Sequence, residues 1–193
     1  MQYNELSDEA KEHAYKRHVG ELELDDYTQE YWVEKLEGLG IYTDTNKMYF
    51  SGFGSQGDGA SFTGSINLRE FLEAHPDLKK EHAKLYMAVV PFTGGAACEF
   101  DIELTRHGST NYNHEKSVHL GSWDLNILLD NDEGEDYERL MMEAESDITA
   151  QCREYMKELY RDLEKDYEYR AWLFDCFLHT VEYKDFDEEG ELT

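Results

Sequence analysis

Apolar residues in this chain recur at helical spacing in three stretches, two near the start and one across the last third, with β-like runs between them. Ser7, followed by Asp8 and Glu9, is a good N-cap and first turn. It predicts a helix to about His18, with Leu6, Ala10 and Ala14 as the inner stripe and His18 at its end. A second helix is predicted over Tyr27 to Leu39, where Tyr31, Trp32, Leu36 and Leu39 form a stripe with Lys35 at its edge. Gly38 and Gly40 are suitable stops. From Tyr137 onward Ile148, Cys152, Tyr155, Met156, Leu159 and Leu163 fall on one face. They predict a long helix to about Tyr169, with a break before a further stretch from Ala171 to Thr180.

Between these helices the pattern shortens. Met48 to Phe53 and Ala60 to Ile66 are strand-like and enclose a glycine-rich segment, with Asp58-Gly59 as a turn signal, so this region predicts a β-hairpin. Asn67 is placed to cap a short helix from Leu68 to Ala74, closed by His75-Pro76. Tyr86 to Phe92, Cys98 to Thr105 and Ser117 to Leu125 predict three further strands, and Asp130 to Asp136 an acidic loop. The expected fold is α+β in a single domain over residues 1–193. Two N-terminal helices and a small antiparallel sheet centred on the glycine hairpin are crossed by a long, acidic C-terminal helical region at about 137–183.

Charge narrows the possible partners. The 193 residues hold 44 acidic against 18 basic side chains, a formal net charge of -26. The 14 Tyr, 9 Phe and 3 Trp mark a folded chain, because disordered acidic chains are poor in aromatics. Duplex DNA carries about one negative charge per 1.7 Å of axis, so it repels such a protein, and anionic lipid does the same. The expected partner is therefore basic, and neither direct nucleic-acid binding nor membrane attachment is expected. No stretch reaches the ~18 apolar residues of a membrane span. The charged N-terminus is unlike a secretory signal. Cys98, Cys152 and Cys176 are odd in number and form no CxxC pair, as expected of reduced thiols in a cytoplasm. Apolar neighbours around Cys98 and Cys176 predict buried, inert thiols.

Several motifs imitate known chemistry. Gly52-Phe53-Gly54-Ser55-Gln56-Gly57 is literally GxGxxG, but a dinucleotide site needs that motif to open a helix, and here strand-like residues follow. Kinase-type partner motifs are lacking. The glycines fit a tight, irregular hairpin, and Ser55, Gln56, Asp58 and Ser61 are the candidate lining of a polar pocket for a ligand or a partner's side chain. Asp185-x-Asp187-x-Glu189-Gly190 imitates half an EF-hand loop without its twelfth-position Glu. His107, His114 and His119 match no zinc spacing, and opposite hairpin arms bring at most two of them together. No metal site, cofactor or catalytic residue is expected, and the chain reads as non-enzymatic. Charge is concentrated between Asp130 and Glu168, with 15 acids against 5 bases. There Glu154, Glu158 and Asp162 form a row with roughly 5–6 Å between neighbours. That is near the phosphate spacing of a nucleic-acid strand, so the face could imitate DNA. Lys157, Arg161 and Lys165 favour the plainer reading, a salt-bridged solvated face.

The residues LSDEAKEHA near the start, YFSGFGSQGDGASF in the middle, EYMKELYRDLEKDYEYRAW and the ending EYKDFDEEGEL together resemble a family of small phage and prophage proteins. That family is often labelled the N-terminal region of an antitoxin of a toxin–antitoxin stability system. The resemblance implies a phage or mobile-element origin and a bacterial host cytoplasm. The expected function is a non-enzymatic acidic protein that binds and neutralises a host protein, either an anti-phage defence component or a toxin. The alternative is a ligand-binding or sequestering protein with its pocket at the hairpin.

Overall fold

The computed structural model describes residues 1–19, 27–55, 57–89, 101–107, 113–121 and 134–191. It is α+β and divides into two compact units, Gln29–Arg161 and a smaller one formed by Met1–Thr28 with Asp162–Thr193.

The larger unit begins within α2 (Tyr27–Glu37), which places Trp32 and Leu36 in the core and leaves Tyr31 half exposed rather than on the inner stripe. Gly40 then turns the chain at φ +76°, where an added Cβ would lie 2.5 Å from the Phe71 amide nitrogen. Only glycine meets both demands. Strands β1 (Ile41–Tyr42), β2 (Met48–Phe50), β3 (Ala60–Phe62) and β4 (Gly64–Asn67) follow. Asn67 caps α3 (Leu68–Ala74), its Oδ1 accepting from the Glu70 amide at 3.1 Å. Among the described residues, helices α4 (Pro76–Glu81) and α5 (Ala83–Val89), strands β5 (Asp101–Arg106) and β6 (Val118–Leu120), and the long α6 (Gly134–Val181) come next.

Among the described residues the strands form two antiparallel sheets, a four-stranded one ordered β1-β4-β5-β6 and a ribbon of β2 and β3. The strand expected over Ala60 to Ile66 is thus two strands in different sheets. Thr63 makes the crossing: its amide donates to Lys47 O at 3.0 Å and its carbonyl accepts from Thr43 Oγ1 at 2.7 Å.

The strand expected from Tyr86 is helix α5 over its described part, and residues 90–92 lie outside the described residues. Leu85 and Val89 are buried while Met87 is 65% exposed. That pattern has helical period, because a strand would turn all three to one face. Similarly, 98–100 and 122–125 of the other expected strands fall outside the described residues; β5 takes up the rest of the first, and β6 the second from Val118 to Leu120, while Ser117 closes a 3-10 turn. Of the expected acidic loop, residues 134–136 already belong to α6, which continues to Val181 without the anticipated break.

Helix α6 lends Met141, Ala144, Ile148, Cys152, Met156 and Leu159 to the core of the larger unit, each at most 1% exposed. Full burial of such an aliphatic side chain is worth about 1.5–3 kcal/mol. Arg153 Nη2 donates to Val118 O at 2.8 Å, which ties the helix to β6.

In the smaller unit, Ser7 Oγ accepts from the Ala10 amide at 3.2 Å and starts α1 (Asp8–Val19). Tyr3, Leu6, Ala10, Ala14, Phe177, Val181 and Phe186 form its core, with the Tyr3 and Phe177 rings edge to face at 5.1 Å.

Candidate functional site

The hairpin is built from β2 and β3 in the register Met48↔Phe62, Tyr49↔Ser61, Phe50↔Ala60. The Ser51 amide extends the pairing to Gly59 O at 3.0 Å. The connection is therefore a wide loop and not a two-residue turn at Asp58-Gly59. Asp58 organises it: one carboxylate oxygen accepts from the Gly54 amide at 3.0 Å and from the Ser55 amide at 2.6 Å, while the Asp58 amide donates to Ser55 O at 3.1 Å. Backbone amides of a glycine loop are the groups that hold phosphate in nucleotide sites. Here an internal carboxylate already engages two of them, which physically disfavours the nucleotide reading of GxGxxG.

Aromatic rings fix the loop from one side. Phe53 stacks on Tyr160 of α6 at 5.3 Å and on Phe50 at 6.4 Å, and Tyr160 Oη donates to Gly52 O at 2.9 Å. Asn113 adds a polar tie: its Nδ2 donates to Phe50 O and its Oδ1 accepts from Arg106 Nη2, both at 2.8 Å. The Phe50 ring stays 43% exposed. Ser55 is exposed at the tip, Asp58 half-buried beneath it, and Gln56 lies outside the described residues. Ser61 does not line the loop. It is 0% exposed in β3, and its Oγ has no hydrogen-bond partner among the described residues.

A cleft of about 820 Å³ lies beside the ribbon, lined by residues including Tyr42, Lys47, Tyr49, Glu103 and Arg106. The Arg106 guanidinium sits 4.1 Å over the Tyr49 ring, and Lys47 Nζ is 3.4 Å from Asp44. Tyr42 Oη donates to Glu70 at 2.5 Å, and that bond pushes its phenol up to about 12. Charges of both signs line this cleft, so it favours no simple anion.

The acidic row is not bare. Glu154 pairs with Lys157 at 2.5 Å, Glu158 with Lys35 at 3.1 Å, and Asp162 with Lys165 at 3.1 Å. Lys35 also lies 3.7 Å over Trp32. Tyr160, which holds the hairpin, is two residues from Glu158 and so about 200° round the helix. The hairpin and the acidic row face different directions.

Of the three histidines, His107 and His119 stack with centroids 3.4 Å apart, while His114 pairs with the buried Glu115 at 2.6 Å. Burial, and secondarily the His107 charge, pushes the His119 imidazole below its ordinary value. Its Nε2 lies 2.9 Å from Thr105 Oγ1. The half EF-hand is a tight turn. Asp187 Oδ1 accepts from the Glu189 and Glu191 amides, both at 2.9 Å. Cys152 is buried, and burial lifts its thiol to about 12. Cys176 is exposed, contrary to the expectation from its apolar neighbours, and Cys98 lies outside the described residues.

One cluster has no sequence signal at all. Donor atoms of Glu81, His82 and Asp147 lie within 4.8 Å of one another. Sixty-five residues separate His82 from Asp147, whose Nε2 and Oδ2 are 2.9 Å apart. No motif spacing covers such a distance. Among the described residues, no helix is long and apolar enough to cross a membrane.

A family model described as a domain of unknown function (DUF8835) matches residues 25–171, a span that contains the whole larger unit. No curated protein and no solved structure matches the chain.

Proposed function

The chain belongs to that family of unknown function, and within it we propose an acidic, non-enzymatic interaction protein of phage or mobile-element origin. It binds and neutralises a basic host protein in the bacterial cytoplasm, either a component of anti-phage defence or a toxin. The observation that carries this reading is the hairpin loop, which is already ordered by Asp58 and by the Phe50–Phe53–Tyr160 stack while it still presents Phe50 and Ser55 to solvent. A loop ordered before encounter avoids the entropy cost of ordering on binding, and aromatic side chains are the usual anchors of protein interfaces.

The net charge of -26 supplies long-range attraction to a basic partner and speeds association. Each carboxylate of the Glu154–Glu158–Asp162 row has a lysine beside it, so the row contributes to steering more than to imitation of a phosphate ladder. Affinity capture from nuclease-treated bacterial lysate, read by mass spectrometry at low and high salt, tests the proposal. A single stoichiometric basic protein, weakened at high salt and lost with Phe50→Ala, supports it. Capture that is indifferent to both salt and Phe50 overturns it.

The cleft favours a second reading, a ligand-binding protein, because its volume lies in the range of small-molecule sites. A small molecule released from the purified protein on denaturation, and lost with Tyr49→Ala while Phe50→Ala retains it, would select this reading.

A further inference from the structure

We propose that Glu81, His82 and Asp147 bind a divalent transition-metal ion of the Zn²⁺ class, which would clamp the α4–α5 junction to α6. The proposal is independent of the function argued above. Each residue offers one donor atom, and the three atoms lie within 4.8 Å of one another. A tetrahedral Zn²⁺ with nitrogen and oxygen ligands at about 2.0–2.2 Å sets its donors about 3.4 Å apart. His82 Nε2 and Asp147 Oδ2, at 2.9 Å, need to part by about half an ångström to reach that spacing. Glu81 is exposed and can swing in from solvent.

The donor set selects the ion. One imidazole with two carboxylates suits a borderline first-row ion, whereas Ca²⁺ and Mg²⁺ prefer shells of oxygen alone. Two carboxylates and a neutral imidazole also balance a 2+ charge. Solvent access leaves room for a water as fourth ligand, since the Asp147 side chain is 43% exposed while that of His82 is only 10% exposed.

The fold fixes both principal ligands on ordered backbone. His82 ends α4, its amide donating to Leu78 O at 2.8 Å, and opens the next turn by accepting from the Tyr86 amide at 3.0 Å. Asp147 sits on α6 next to Ile148 and three residues from Ala144, both fully buried, so that stretch of helix is anchored in the core.

The test titrates chelator-treated protein with ZnCl₂ by calorimetry and with Co²⁺ by visible absorption. The expected result is one tight equivalent of Zn²⁺, a tetrahedral Co²⁺ spectrum, and a melting temperature raised by Zn²⁺. Removing a partner of a metal ligand typically costs 10–100-fold in affinity, and removing a ligand itself costs at least that. His82→Ala and Asp147→Asn should therefore each weaken binding by about tenfold or more. Glu138→Gln, which removes another exposed carboxylate from the same helix, should leave it unchanged. Asp147→Asn is isosteric and keeps the test decisive if His82→Ala fails to fold. Zn²⁺ binding that survives both His82→Ala and Asp147→Asn, or Mg²⁺ binding as tight as Zn²⁺, would mean general attraction of cations to an acidic surface and overturns the proposal.

Discussion

Replacing Asp58 by alanine isolates what holds the hairpin loop in shape. Its carboxylate accepts from two backbone amides, those of Gly54 at 3.0 Å and Ser55 at 2.6 Å, four and three residues away. Hydrogen bonds to a charged group are worth about 1.5–3 kcal/mol each, and water recovers part of that at a half-buried site. Losing the pair should therefore cost about 2 kcal/mol of loop order. Each 1.4 kcal/mol is tenfold in an equilibrium constant, so the open loop becomes about thirtyfold more populated. Amide hydrogen exchange read by NMR reports this directly. Protection at Ser55 should fall by about thirtyfold in Asp58→Ala and by less in Asp58→Asn, which keeps an acceptor but loses the charge. The loop contributes little to the core, so the urea midpoint should move far less than the exchange rate. Ser55 exchange within twofold of the original in Asp58→Ala would refute the assignment of Asp58 as the organiser.

Three further outcomes follow from other parts of the structure. Gly190 has φ +83°, and an added Cβ would meet Ala10 O at 2.3 Å. Gly190→Ala should thus lose about 2 kcal/mol or more in urea unfolding, of which the left-handed backbone alone accounts for about 1–2. His119 titrates below its ordinary value, so the unfolded chain takes up the proton first and stability is lost as pH falls from about 6.5 through the lower folded value. NMR titration should place the His119 midpoint below 6.5, and His119→Gln should flatten the decline in melting temperature between about pH 7 and 5. With a native-state thiol reagent, Cys176→Ser should remove a fast-reacting equivalent, while Cys152→Ser should remove one that reacts only on unfolding.

The helices were legible where a stripe of buried residues repeats over several turns. Ile148, Cys152, Tyr155, Met156, Leu159 and Leu163 are all buried as their spacing predicts. Asn67 and Ser7 were legible because capping is a local interaction between a short polar side chain and an amide three residues on. The run beginning at Tyr86 was not, since a few apolar residues fit either period and only the neighbours of Leu85 and Val89 decide which one they bury. Thr63 carried no mark of its role as a crossing between sheets, because that depends on partners at Thr43 and Lys47. The site residues divide in the same way. Asp58 was named for a pocket and proves to be the loop's own brace, whereas Ser61 turned inward once the register of β3 was set. Glu81, His82 and Asp147 meet only because the fold brings the end of α4 beside one turn of α6.

The Asp58 brace also bears on how a glycine loop acquires or loses affinity for anions. The loop is in effect a receptor folded around a guest that is part of the same chain. A guest tethered three residues away has an effective concentration on the order of millimolar or above, so a dissolved anion at lower concentration gains little occupancy. Replacing one acid with glycine would leave the two amides free while the surrounding aromatic frame stays. A single substitution therefore separates a self-contained recognition loop from one open to phosphate.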